Sequence, residues 1–144
     1  MATYLTRPAS NSEGITAELE RLSIIGIQRI NNRDWSYSSP EAQELLTPEQ
    51  WQSRFDNQVE LLTWQQQNDV WQQLVEELHP HCHFEITSVS STIREKENLA
   101  IVWIQTTVTG IENVHIPGLS ELSWRLEDGK WWFFYHVGIR GFLG

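Results

Sequence analysis

Three side chains in this 144-residue chain stand where their types could move a proton or steady a charge: Glu60, Tyr135 and Arg33. Glu60 is flanked by Val59, Leu61 and Leu62. Partial burial there disfavours the charged carboxylate and lifts its pKa toward neutrality, as a general base requires. The alternative is a surface glutamate on a short element. Tyr135 closes the run Trp131-Trp132-Phe133-Phe134-Tyr135, and regular alternation sets it in register with Trp131 and Phe133. Its hydroxyl can donate to an enolate-like oxygen, or can be a core hydroxyl with its own partner. His136 then falls on the opposite face and ranks below it. Arg33 can stabilise a developing anion, or can close a helix corner with Asp34 through local hydrogen bonds.

The binding residues expected around such a site are aromatic. Eight Trp in 144 residues is a high content, and it points to a wide apolar cavity, a large subunit interface, or both. Between Leu99 and Gly110 one face reads Ala100, Val102, Ile104, Thr106, Val108, and the other Ile101, Trp103, Gln105, Thr107, Thr109. The first is small and branched, suited to sheet packing or a dimer seam. The second mixes an aromatic wall with hydrogen-bonding groups, as a ligand pocket does. Trp103, Gln105 and Thr107 are therefore assigned inward, with Trp35, Trp64 and Trp124 as further substrate-binding residues. His79-Pro80-His81-Cys82-His83 gathers three His and one Cys, but no second cluster supplies the remaining ligands of a metal site. It reads as a helix end followed by a strand start, and no metal is expected. A Gly-rich phosphate loop, a nucleophile elbow and a Cys–His signature are all missing, so no cofactor is expected either.

The elements that must position these groups follow from periodicity. Residues 1–13 read as a flexible lead, and 14–144 as one domain. Ile15, Leu19, Leu22, Gly26 and Ile30 have helical spacing, and the helix runs down near Asn31-Asn32. Thr47-Pro48-Glu49-Gln50 predicts a second, short helix carrying Trp51 and Phe55. Thr63-Trp64-Gln65-Gln66 predicts a third, through Leu78, with its glutamines outside. Val59–Leu62 between them is a small strand or a helical continuation. From His83 the period becomes two: a strand over Phe84–Arg94 bulged near Ser88, a charged turn, a strand over Leu99–Gly110, then a loop over 111–118. Leu119–Gly138 is a hairpin about Asp128-Gly129, where both turn residues take positive φ.

This order, together with Asn32-Arg33-Asp34-Trp35, Leu78-His79-Pro80, Trp124 and Asp128-Gly129-Lys130-Trp131, resembles the nuclear-transport-factor-two-like superfamily. Ketosteroid isomerase, scytalone dehydratase, the polyketide cyclases and the association domain of calmodulin-dependent kinase belong to it. The resemblance covers residues 15 to 141. It implies an α+β fold, a cone-like curved antiparallel sheet wrapped around three N-terminal helices, with an apolar pocket and frequent dimerisation through the outer sheet face. It also sets Glu60 where the related isomerases carry their base.

Composition bounds the rest. A net charge of −9 disfavours nucleic acid and anionic membranes, which attract basic faces. No run reaches the roughly 18 apolar residues of a spanning helix. A polar N-terminus and a single Cys point to a cytoplasmic protein. The expected function is a cofactor-independent isomerase, cyclase or dehydratase acting on a hydrophobic polycyclic or aromatic metabolite, working as a homodimer. The alternative is a non-catalytic ligand-binding or oligomerisation module of the same fold.

Overall fold

The computed structural model of the chain describes residues 8–36, 38–55 and 58–140, with side chains between 13 and 139. Helix α1 (Pro8–Asn31) is followed by a short 3-10 turn (Ala42–Glu44), β1 (Gln52–Phe55) and β2 (Leu62–Thr63). Helix α2 (Trp64–Gln72) continues into a π-helical segment (Gln73–Leu78), and β3 (His83–Arg94), β4 (Leu99–Ile111), β5 (Val114–Glu127) and β6 (Lys130–Arg140) complete the chain. The strands form one sheet in the order β2-β1-β6-β5-β4-β3. All neighbours are antiparallel except β1 and β6, which run parallel. Among the described residues the fold is therefore α+β, with a mixed six-stranded sheet and two α-helices.

The expected helix over Thr47–Phe55 is a strand instead. Trp51, Ser53 and Phe55 turn inward while Gln52 and Arg54 are exposed, a period of two. A spacing of four between Trp51 and Phe55 satisfies a helix and a strand alike, and pairing with β6 decides it. Only the turn at Pro48 survives of the helix start, its carbonyl accepting from the Trp51 N–H at 3.1 Å. The next capping box is formed in full. Thr63 Oγ1 accepts from the Gln66 N–H at 3.2 Å, and Gln66 Oε1 accepts from the Thr63 N–H at 2.9 Å. Helix α1 begins at Pro8, several residues before the apolar periodicity does.

In the sheet, the bulge near Ser88 lies between Ile86 and Ser88. The Asp128-Gly129 turn has φ of 54° and 76°, both positive as that turn demands. The expected loop over 111–118 is shorter, because Glu112 takes a φ of 52° and β5 resumes at Val114, with Pro117 inside the strand opposite Thr107.

The faces of β4 are opposite to the expectation. Ala100, Val102, Ile104, Thr106 and Val108 are buried beneath the helices, against Leu19, Leu22, Ile27 and Ile30 of α1. Small branched side chains let a helix lie close to a sheet; the bulkier Trp103, Gln105 and Thr107 stand on the other side. The core also takes in Trp51, Trp71, Val75, Leu122, Trp124 and Phe133. Asn31 ties the end of α1 to β3, exchanging bonds of 2.9 and 2.8 Å with the backbone of Phe84. Among the described residues, no helix is long and apolar enough to cross a membrane.

Candidate functional site

A cavity of about 460 Å³ opens between the helices and the sheet. Ile27 and Ile30 of α1, Trp71 and Leu74 of the second helical run, and Phe84 and Val108 of the sheet give it apolar walls. Gln58, Gln67, Gln73, Thr106, Ser120 and His136 supply its polar groups. Among the described lining residues, His136 is the one ionisable side chain and Trp71 the one indole.

His136 reaches the cavity because of a bulge. Along the β5–β6 ladder Trp124 faces Phe133, while Ser123 faces Tyr135, so Phe134 is an extra residue. One inserted residue exchanges the faces of everything beyond it. His136 thereby joins Phe133 on the inner face, and Tyr135 turns to the outer one beside Ser123. Around the imidazole stand Phe55, Trp71 and Phe133, with ring centroids at 4.8, 5.7 and 5.7 Å. Phe55 gets there by crossing Gly138, where an added Cβ would lie 1.9 Å from its ring.

The electrostatics keep this histidine neutral. Burial, and then the positive charge of Arg29, push its pKa from 6.5 down to about 3. Arg29 is itself buried, its guanidinium carbon 4.6 Å from the Trp64 ring centroid and 5.5 Å from that of Trp71. Nε2 of His136 is buried without a hydrogen-bond partner. An unsatisfied buried nitrogen costs about 1–3 kcal/mol, which a ligand group can recover by bonding to it. Beside it, Gln67 is held by Ser53, whose hydroxyl donates to its Oε1 at 2.6 Å. Gln58 accepts from the Phe55 N–H at 2.7 Å. The arrangement offers neutral hydrogen bonds in an apolar hollow. As an acid–base device it holds, among the described residues, a single imidazole and no carboxylate.

None of the nine side chains singled out from the sequence lines this cavity. Glu60 is exposed in the bend before β2, because Val59 and Leu61, its apolar neighbours, are themselves exposed. Tyr135 is displaced to the outer face by the bulge. Arg33 is committed elsewhere. Its Nη1 donates to Ile30 O and Asn31 O at 3.0 and 3.1 Å, and its Nη2 to Val75 O, Pro80 O and Cys82 O at 3.3, 3.1 and 3.1 Å. This is a structural clamp that joins the end of α1 to the π-helical segment and the start of β3. Asp34 completes the corner: burial raises its pKa, but bonds from Ser39 and Ser38 outweigh that and lower it.

Trp103 is on the outer face, its N–H donating to Glu121 at 3.1 Å. Gln105 accepts there from Ser88 at 2.8 Å, and Thr107 lies opposite Glu85. Trp124 is core, with its N–H on Ser23 at 3.0 Å. Trp35 donates to Glu76 at 2.6 Å, a bond that, with Gln72, lowers the pKa of that carboxylate. Trp64 covers Arg29. His81 and His83 are exposed and Cys82 is buried. Gln67, expected outside, is inside, and Thr106 and Ser120 were not anticipated. Five successive aromatics hide the register slip that brings His136 in, so no local pattern announces it.

No family model and no curated protein matches this sequence. Solved structures do match in shape. An NTF2-like protein with a cystatin-like fold from Novosphingobium aromaticivorans superposes with a TM-score of 0.71 at 10% identity, covering 100% of this chain and 94% of its own. An NTF2-like protein of unknown function from Pseudomonas putida KT2440 gives 0.69 at 12% identity, over 88% and 87% of the two chains. The hexachlorocyclohexane dehydrochlorinase LinA-type3 from Novosphingobium barchaimii LL02 gives 0.71 at 10% identity, over 88% and 86%. The chain has the NTF2-like fold.

Proposed function

We propose that the cavity binds an uncharged, hydrophobic small molecule, oriented by hydrogen bonds to His136 and its polar neighbours. The observation that carries this reading is a hollow of about 460 Å³, with apolar walls and a buried imidazole whose Nε2 has no partner. Volumes of 300–1,000 Å³ with few polar groups are typical of small-molecule sites. A base works best with a pKa near the operating pH, and an imidazole held near 3 is far below it. Its stronger role is that of a neutral hydrogen-bonding group. The test is a titration with naphthalen-1-ol followed by tryptophan fluorescence, since Trp71 lines the cavity. One equivalent is expected to bind the wild type. Leu74→Trp, which projects an indole from a half-buried lining position, is expected to weaken binding at least tenfold. Equal binding by the two proteins would place the ligand elsewhere.

A second reading is an isomerase or lyase in which His136 takes a proton from the bound molecule. The fold it shares with a dehydrochlorinase, and an ionisable group at the cavity, favour it. Such a protein would exchange the α-hydrogens of bound 1-tetralone for solvent deuterium faster than buffer does, and His136→Gln would abolish the excess. Exchange at the buffer rate removes this reading and leaves the binding one standing.

A further inference from the structure

The cavity has apolar side chains at its exposed margin and several of its polar ones deep inside. Its exposed lining side chains are mainly apolar: Val70 is 44% exposed and Leu78 60% on the helical side, Leu119 39% and Ile139 58% on the sheet side. Three of its polar side chains, Gln67, Thr106 and His136, are 1%, 8% and 2% exposed, while Gln58 and Ser120 are half-buried. Gln73 is the one exposed polar side chain among the described lining residues. Large apolar side chains left in water on both sides of one opening form a patch that a partner is expected to cover. Hydrogen-bonding groups at the bottom of an apolar hollow gain most from a polar group delivered to them.

We infer that the ligand is an uncharged amphiphile that enters polar end first, its hydroxyl or carbonyl head among His136, Gln67 and Thr106 and its apolar tail lying across Val70, Leu78, Leu119 and Ile139. The ligand class is then a phenol, alcohol or ketone bearing a long alkyl or prenyl-like tail. A cationic head is disfavoured, because the described lining offers no negative charge and the positive charge of Arg29 already acts on the His136 imidazole. The apolar rim gives a long tail a place to rest after the interior is full. Each further methylene that it covers strengthens binding about fourfold, so affinity keeps rising with chain length beyond the size of the hollow.

This inference rests on the binding reading above, and the two can be separated by one set of titrations. The probes are 4-ethylphenol, 4-nonylphenol and nonylbenzene, each below its solubility limit, against the wild type, Leu78→Ser/Ile139→Ser and His136→Phe. Leu78 and Ile139 are well exposed, so the double variant is expected to fold. On the wild type, 4-nonylphenol is expected to bind at least 50-fold more tightly than 4-ethylphenol. The double variant is expected to lose at least tenfold for 4-nonylphenol and to keep 4-ethylphenol within twofold. The phenol hydroxyl is expected to favour 4-nonylphenol over nonylbenzene at least fivefold on the wild type, and hardly at all on His136→Phe. If the phenols bind but the rim variant loses nothing for the long tail, or nonylbenzene binds the wild type as tightly as 4-nonylphenol, the head-first orientation is wrong and the cavity reading stands. If neither phenol binds, both fail.

Discussion

Arg33 and His136 are both polar side chains at the junction of helices and sheet, and they are satisfied in opposite ways. Arg33 sits at a φ of 57°, a strained value for a residue with a side chain, and spends its guanidinium on five backbone carbonyls. Three of those carbonyls belong to segments more than forty residues away. His136 is fully buried and neutral, its Nε2 has no hydrogen-bond partner, and the residue belongs to the lining of a cavity. A saturated polar group in a fold is part of its framework. One left unsatisfied costs stability, and beside a cavity it marks a place where a ligand can bind.

Substitution separates the two roles. Arg33→Ala leaves those carbonyls without their donor and should produce the largest effect, a loss on the order of 3 kcal/mol seen as a lower thermal midpoint. A near-wild-type midpoint would show that the clamp is dispensable. Gly138→Ala lies between the corner and the cavity in consequence. Its new methyl meets the Phe55 ring at 1.9 Å, so Phe55 must leave the imidazole. A loss of about 1–3 kcal/mol is expected, with at least tenfold weaker naphthalen-1-ol binding. Retained binding would detach Phe55 from the site.

His136→Phe should have the smallest effect on stability and the opposite sign: about 1 kcal/mol more stable at pH 7, since an apolar ring replaces an unsatisfied nitrogen. Its pH dependence sharpens the contrast. The folded pKa of His136 lies near 3 and the unfolded one near 6.5, so below pH 6.5 the unfolded chain binds the extra proton. Stability from this group is complete above pH 6.5 and falls as pH drops toward 3, with a slope on the order of 1 kcal/mol per pH unit. The advantage of His136→Phe over wild type should therefore widen from pH 7 to pH 5 in paired thermal melts. An unchanged gap would mean that His136 is not buried as a neutral group.

The same contrast explains what could be read from the sequence. The hairpin at Asp128-Gly129, the capping box at Thr63 and the bulge near Ser88 rest on local chemistry, and each was legible. The cavity depends on register and on distant partners. Trp131 to Tyr135 are all aromatic, so the extra residue at Phe134 leaves no break in polarity, and Tyr135 and His136 exchange faces unseen. Both faces of β4 are apolar enough to be buried, and only the helices above decide between them. Glu60 looks sheltered by its neighbours until Val59 and Leu61 turn out to be exposed too. The partners of Arg33 on Val75, Pro80 and Cys82 lie too far along the chain for any spacing rule.

Ligand recognition in this cavity turns on the imidazole of His136. Among the five histidines of the chain, His136 is the buried one, so side-chain ¹⁵N resonances can be followed one histidine at a time as naphthalen-1-ol is added. A shift confined to the His136 imidazole, saturating at one equivalent, is the result predicted here. Binding that moves His79, His81, His83 or His115 while His136 stays still would contradict it.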